Sequence, residues 1–199
     1  MAALPQQQPD KMTEAEYLAF ERASEMKHEY YNGEIFAMVG ASESHNLISV
    51  NLIRMISTKL RGKGCKVYPS DMKVKIESTR LYTYPDLSVM CGEAQFADGE
   101  FDTLLNPAVI IEILSPSTER YDRGKKFQHY REIPSLQEYV LVAQDNPRIE
   151  RYLRQENGKW ELTDAIGIEA TIDLTSIDCV LELAEVYEQV TFVEDDASS

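Results

Sequence analysis

The sequence predicts an α/β fold built on a mixed sheet, with helices able to pack on both faces. Three observations lead there. Two apolar runs, PAVIIEIL and LQEYVLVAQ, are nearly continuous and read as central strands. Two Asn-Gly pairs, Asn32-Gly33 and Asn157-Gly158, each separate strand-like runs and mark antiparallel hairpins. Helical spacing appears between the strand-like segments rather than in strict alternation with them. The order is helix, hairpin, helix, three strands, helix, strands. With no G-x-G-x-x-G or P-loop pattern, nucleotide cofactors are disfavoured.

The first element is a short helix from Thr13 to Ala23. Thr13 with Glu16 three residues on makes a capping-box pattern, and Leu18 and Phe20 supply an apolar side. Lys27–Tyr31 and Glu34–Val39 pair around Asn32-Gly33. Ser42 or Ser44 caps a second helix carrying Leu47, Val50, Ile53, Ile56 and Leu60, which Gly62 and Gly64 close. CKVYPSDMKVKI reads as one strand and YTYPDLSVMC as the next, entered through Pro85. A loop over 92–107 leads to the strand PAVIIEIL. After Ser115-Pro116-Ser117 a basic helix follows, with Ser117 or Asp122 as cap and Pro134 beyond its end. The chain then gives the strand LQEYVLVAQ and the second hairpin. A strand near Ala170–Leu174 and a short helix near Leu181–Tyr187 finish it.

The 199 residues suit one domain over 13–190, with a disordered lead-in over 1–12 and an acidic tail over 191–199. No apolar run approaches the roughly 18 residues of a membrane span. MAALPQQQPDKM has no charged segment followed by an apolar one, so no secretory leader is expected. Cys65, Cys91 and Cys179 lie far apart without metal-ligand spacing, and an odd count argues against a disulfide framework. Reduced thiols in a cytoplasmic protein are the expectation.

The net charge of −14 argues against general affinity for nucleic acid. Its distribution is uneven. Arg54–Lys66 carries +5 and Arg120–Arg131 carries +4, which leaves −23 on the remainder. Two basic segments on an acidic body could focus a polyanion onto one face. The simpler account is two solvated helix faces with neutralising partners.

Asp86 stands at the head of one apolar strand, Glu112 within the next, and Lys126 on the helix that follows. A bare carboxylate inside a buried strand costs several kcal/mol unless paired or bound to a cation. If the two strands are neighbours, Asp86 and Glu112 meet. Two carboxylates with room for water suit Mg²⁺. Such a metal would polarise a phosphoryl oxygen and acidify a bound water, and a nearby Lys would stabilise developing phosphate charge. The plainer alternative is a buried ion pair between Glu112 and Lys126.

YPDLSV and VIIEILSPSTERYDRGKKFQHYREIPSLQEYVLV, together with HEYYNGEIFAM, SHNLISVNL and SDMKVKI, resemble the Uma-type family of bacterial restriction endonucleases. That family is a branch of the restriction-endonuclease-like, PD-(D/E)XK nuclease superfamily. The resemblance covers residues 12–190 and is most specific over 107–142. It implies a restriction-endonuclease-like core, a mixed sheet flanked by helices with an N-terminal helix and hairpin. It implies a metal-dependent endonuclease acting on DNA, with Asp86 and Glu112 as ligands of Mg²⁺ or Mn²⁺. The superfamily lysine stands two residues after the Glu, where this chain has Leu114. In the family a D-R-x-x-K pattern on the next helix replaces it, here Asp122 to Lys126. The superfamily's additional Glu has Glu34 and Glu29 as candidates, and His45 begins the helix behind them. Spacings of three and four place Arg123 and Tyr130 beside Lys126 as candidate phosphate contacts. The implied partner is double-stranded DNA, and cutting both strands takes two sites, so a homodimer is expected. The alternative is a nuclease fold without activity, a DNA-binding or assembly module, which the −23 favours.

Overall fold

Backbone and side chains are described from a computed structural model over residues 11–38 and 40–192. The lead-in up to residue 10, Val39 and the tail from 193 lie outside them. Helix α1, Glu14–Ala23, starts as its capping box dictates: Thr13 accepts the Glu16 N–H and Glu16 accepts the Thr13 N–H. Strands β1 (His28–Tyr31) and β2 (Glu34–Ala37) pair antiparallel around Asn32 and Gly33. Both turn residues have positive φ, 52° and 91°, as a two-residue hairpin of this hand requires. Gly33 is doubly constrained, because a Cβ there would lie 2.5 Å from the Lys11 Cβ. Helix α2 spans Glu43–Lys59 and is capped by Ser42, whose hydroxyl accepts the His45 N–H.

CKVYPSDMKVKI is not one strand. It divides into β3 (Cys65–Pro69) and β4 (Lys73–Ile76) around a turn. YTYPDLSVMC divides likewise into β5 (Leu81–Thr83) and β6 (Leu87–Cys91), with Pro85 and Asp86 between. The halves join different sheets. The remaining strands are β7 (Thr103–Leu104, within the expected loop), β8 (Val109–Leu114), β9 (Glu138–Ala143), β10 (Arg148–Arg154), β11 (Trp160–Ile166), β12 (Thr171–Leu174) and β13 (Cys179–Glu182). β13 and a helical turn at Leu183–Val186 occupy the stretch expected to be a short C-terminal helix.

One sheet runs β2-β1-β5-β4-β7, a second runs β11-β10-β9-β8-β6-β3, and β12-β13 form a third. The pairs β8–β9 and β4–β7 are parallel and the others antiparallel, so the sheets are mixed as the sequence predicts. The parallel β8–β9 pair needs a crossover, which the basic segment 119–130 provides. That segment is a turn of α-helix (Glu119–Tyr121), a π turn (Asp122–Lys126) and a second α turn (Phe127–Tyr130). Neither Ser117 nor Asp122 caps it: the N-cap is Thr118, with no side-chain cap bond, and the Ser115 hydroxyl accepts the Thr118 N–H at 3.2 Å in the preceding turn.

β8 is buried along its whole length because both faces are covered. Val109, Ile111 and Ile113 pack with Ile48, Leu52 and Ile56 of α2. Ile110 and Leu114 pack on the other side with Tyr130, Ile133 and Tyr139. By alternation Glu112 belongs to this second face.

Cys65 and Cys91 correct the expectation of reduced thiols. They are register partners across β3 and β6, with Cα atoms 4.0 Å apart, and are joined as a disulfide. An odd count says nothing about two cysteines that sheet register places opposite each other. Cys179 is a buried free thiol, as expected.

Candidate functional site

Glu112 and Asp86 are brought together by the β6–β8 pairing. Leu87 opposes Ile111, so the residues one step beyond, Asp86 and Glu112, fall opposite each other. The Asp86 Oδ2 accepts the Ile113 N–H at 2.7 Å, and its Oδ1 lies 3.2 Å from His45 Nε2. The cap that starts α2 therefore also sets His45 against this carboxylate.

Lys126 arrives from the crossover. Its ammonium is 2.9 Å from Glu112 Oε1, 3.5 Å from Glu29 Oε1 and 3.6 Å from Asp122 Oδ1. Leu114, two residues after Glu112, turns into the apolar core instead. The ammonium thus stands beside Glu112 although it comes from another element. Tyr130 donates its hydroxyl to the same Glu112 Oε1 at 2.7 Å, and Tyr139 donates to the Asp122 carbonyl at 3.1 Å. Among the described residues no partner engages Glu112 Oε2.

Glu29, His45, Asp86, Glu112, Asp122 and Lys126 line a cleft of ≈ 760 Å³ between the β1–β2 hairpin, the start of α2 and the crossover. Its carboxylates are Glu25, Glu29, Asp86, Glu112 and Asp122, against the lysines Lys27 and Lys126. Burial raises Glu112 to about 8, with Asp122 and Asp86 adding to the rise and Lys126 opposing it. Asp122 is raised by burial as well. Burial alone would lower Lys126, but Glu112, Glu29 and Asp122 hold it well above the ordinary range. Several acids therefore share one ammonium.

Other expected residues fall elsewhere. Glu34 is exposed at the hairpin end and does not line the cleft; Glu29, one strand back, is the hairpin acid that does. Arg123 pairs with Glu119 and Glu150, away from Lys126. Tyr130 is fully buried, so it presents nothing to a phosphate. The expected cationic face beside the carboxylates is therefore not there. The reason is the π turn, whose i→i+5 bonds bring residues four and five apart into line and move the residue three apart off that face. Asp122, a candidate cap and the first residue of the D-R-x-x-K pattern, also lies against Lys126, as their i,i+4 spacing allows. The first basic segment is partly neutralised, with Arg54, Lys59 and Lys63 paired to Glu188, Glu182 and Asp178.

Among the described residues no group of three or more His, Cys, Asp or Glu is arranged to hold a metal ion. The donor chemistry of Asp86 and Glu112 still fits Mg²⁺, which keeps several waters and takes one or two carboxylates. No helix among the described residues is long and apolar enough to cross a membrane.

The crystal structure of "a putative nuclease belonging to DUF820" from Anabaena variabilis superposes with a TM-score of 0.71, covering 89% of this chain and 98% of that one at 18% identity. Two proteins of Synechocystis sp. are each 37% identical. The uncharacterized protein slr1290 aligns over 92% of this chain and 94% of its own length, and the uncharacterized protein sll1609 over 82% and 93%. The Uma2 family model, described as "Putative restriction endonuclease", matches residues 14–184. The chain belongs to the Uma2 family and has the restriction-endonuclease-like, PD-(D/E)XK fold.

Proposed function

We propose that the protein is a metal-dependent endonuclease that hydrolyses phosphodiester bonds in DNA. The observation that carries this reading is the meeting of Asp86, Glu112 and Lys126 in one cleft from three separate elements. Asp86 and Glu112 would hold Mg²⁺ or Mn²⁺, which supplies a polarised phosphoryl oxygen and an acidified water. Lys126 neutralises Glu112 and would turn toward the charge that develops on the phosphate. His45 holds Asp86 through Oδ1, and the Ile113 N–H holds it through Oδ2, so the carboxylate is oriented before any ligand arrives.

One observation favours a second reading, a nuclease fold that binds without cutting. Lys126 already satisfies Glu112, and among the described residues no group of three or more His, Cys, Asp or Glu is arranged to hold a metal ion. Metal binding separates the two. The expected result is that Mn²⁺ raises the melting temperature of the wild type and not of Asp86→Ala. DNA should then be cut by the wild type with Mg²⁺ or Mn²⁺, and at least a hundredfold more slowly by Glu112→Ala and Lys126→Ala. No response to Mn²⁺ and equal cleavage by all three proteins would leave the binding module standing.

A further inference from the structure

The floor of the cleft is acidic, but its mouth is aromatic and apolar. Phe36 is 49% exposed, Met26 61% and Tyr121 37%, and all three line the cleft. Phe36 is the register partner of Glu29 across the β1–β2 hairpin. Directly opposed side chains leave an antiparallel pair on the same face, and Glu29 reaches to 3.5 Å from Lys126. Tyr121 directly precedes Asp122, which lies 3.6 Å from the same ammonium. Two exposed rings on two different elements therefore stand next to residues that converge on one point.

The cations do not suit a duplex. Double-stranded DNA carries a charge about every 1.7 Å of its axis and is held by spaced lysines and arginines. Lys27 is engaged by the Ser70 carbonyl at 3.0 Å and by Asp71 at 2.6 Å, and Lys126 is surrounded by carboxylates. Neither is free for a rigid row of phosphates. None of the exposed cations that make no ion pair among the described residues lines the cleft, and two of them, Arg120 and Lys125, lie close to Tyr121 in sequence on the crossover. An unpaired strand matches this layout, because its bases can stack on aromatic rings while only one or two phosphates meet cations.

We propose that the cleft takes single-stranded DNA, with a base stacked against Phe36 and Tyr121 at the mouth and the adjoining phosphate led to the floor formed by Asp86 and Glu112. The substrate class is then an unpaired strand, in place of the double-stranded DNA that the family resemblance implies. The inference rests on the nuclease reading only for the fate of that phosphate; the stacking itself needs no catalysis.

The test is fluorescence anisotropy with a labelled oligodeoxynucleotide, alone and annealed to its complement, with Ca²⁺ in place of Mg²⁺. The single strand should bind at least tenfold more tightly than the duplex. Phe36→Ala and Tyr121→Ala should each weaken single-strand binding by about 5- to 100-fold, the range for loss of one base–aromatic stack, and leave duplex binding unchanged. Phe36→Leu keeps apolar bulk without the ring and should lose nearly as much as Phe36→Ala. Equal or tighter binding of the duplex, or wild-type binding by both ring variants, overturns the proposal. Ring-dependent single-strand binding by a chain that neither answers Mn²⁺ nor cuts would uphold the proposal and sink the nuclease reading. Metal-dependent cutting with no ring dependence would do the reverse.

Discussion

Lys126 is buried and shared by Glu29, Glu112 and Asp122. The consequences of removing either side are unequal. Lys126→Met takes the ammonium from between three carboxylates and leaves uncompensated acid in the protein, which costs about 3–5 kcal/mol. Glu112→Gln keeps an oxygen for the Tyr130 hydroxyl, and the ammonium keeps Glu29 and Asp122, so the cost is about 1 kcal/mol or less. Urea denaturation of the two variants gives the comparison. Equal losses would mean that Glu112, and not the whole carboxylate group, carries the interaction. At this scale the sequence was legible where a residue's chemistry was costly. A Glu in VIIEIL demands a cation, and Asp86, Glu112 and Lys126 could be named from that demand and a family pattern. Tyr130 does reach Glu112 beside Lys126, but buried, whereas Arg123 leaves that face because its segment winds as a π turn and not as an α-helix. Glu29 and Glu34 lie on one hairpin with the same chemistry, and only strand register separates them.

Elements with a local cause were readable. Thr13 with Glu16, Asn32 with Gly33 and Asn157 with Gly158 each carry their own start or turn instruction, and each forms where expected. The runs 65–76 and 82–91 were not divided correctly, because apolar alternation continues smoothly while the chain passes from one sheet to another. That transfer depends on which strands lie alongside, a non-local fact. The same limit hid the disulfide. Cys65 and Cys91 are 26 residues apart in sequence and opposite each other in the β3–β6 register. The Gly92 N–H bonds the Gly64 carbonyl one step beyond, so the cysteines occupy the non-hydrogen-bonded position, where side chains stand closest. Closing a loop of this length should stabilise the fold by roughly 3 kcal/mol. The expected result is that the oxidised protein resists alkylation at both cysteines after unfolding, and that Cys65→Ser with Cys91→Ser lowers stability by that order. Ready alkylation of both without a reductant would show that the bond is not formed.

For the molecule as a whole, charge is the organising quantity. An acidic body surrounds a cleft whose own carboxylates outnumber its lysines, so the folded state should store a proton there. The ordinary Glu value is 4.5, and burial raises Glu112 to about 8 in the fold. Between those values the folded chain holds a proton that the unfolded chain has released. The neutral carboxyl therefore adds stability in full below about pH 4.5, and that stability is lost as pH rises through 8. Asp122 and Glu138, also raised by burial, act in the same direction. His129, lowered chiefly by burial, acts in the opposite direction. A difference measurement removes these shared contributions. Relative to Glu112→Gln, the wild type should lose melting temperature steadily from pH 5 to pH 8 and change little beyond. If the two profiles run parallel, the stored proton is not on Glu112. Saturating Mn²⁺ favours the ionised carboxylate and should flatten the difference, whereas a cleft without a metal site would keep the same slope with and without the ion.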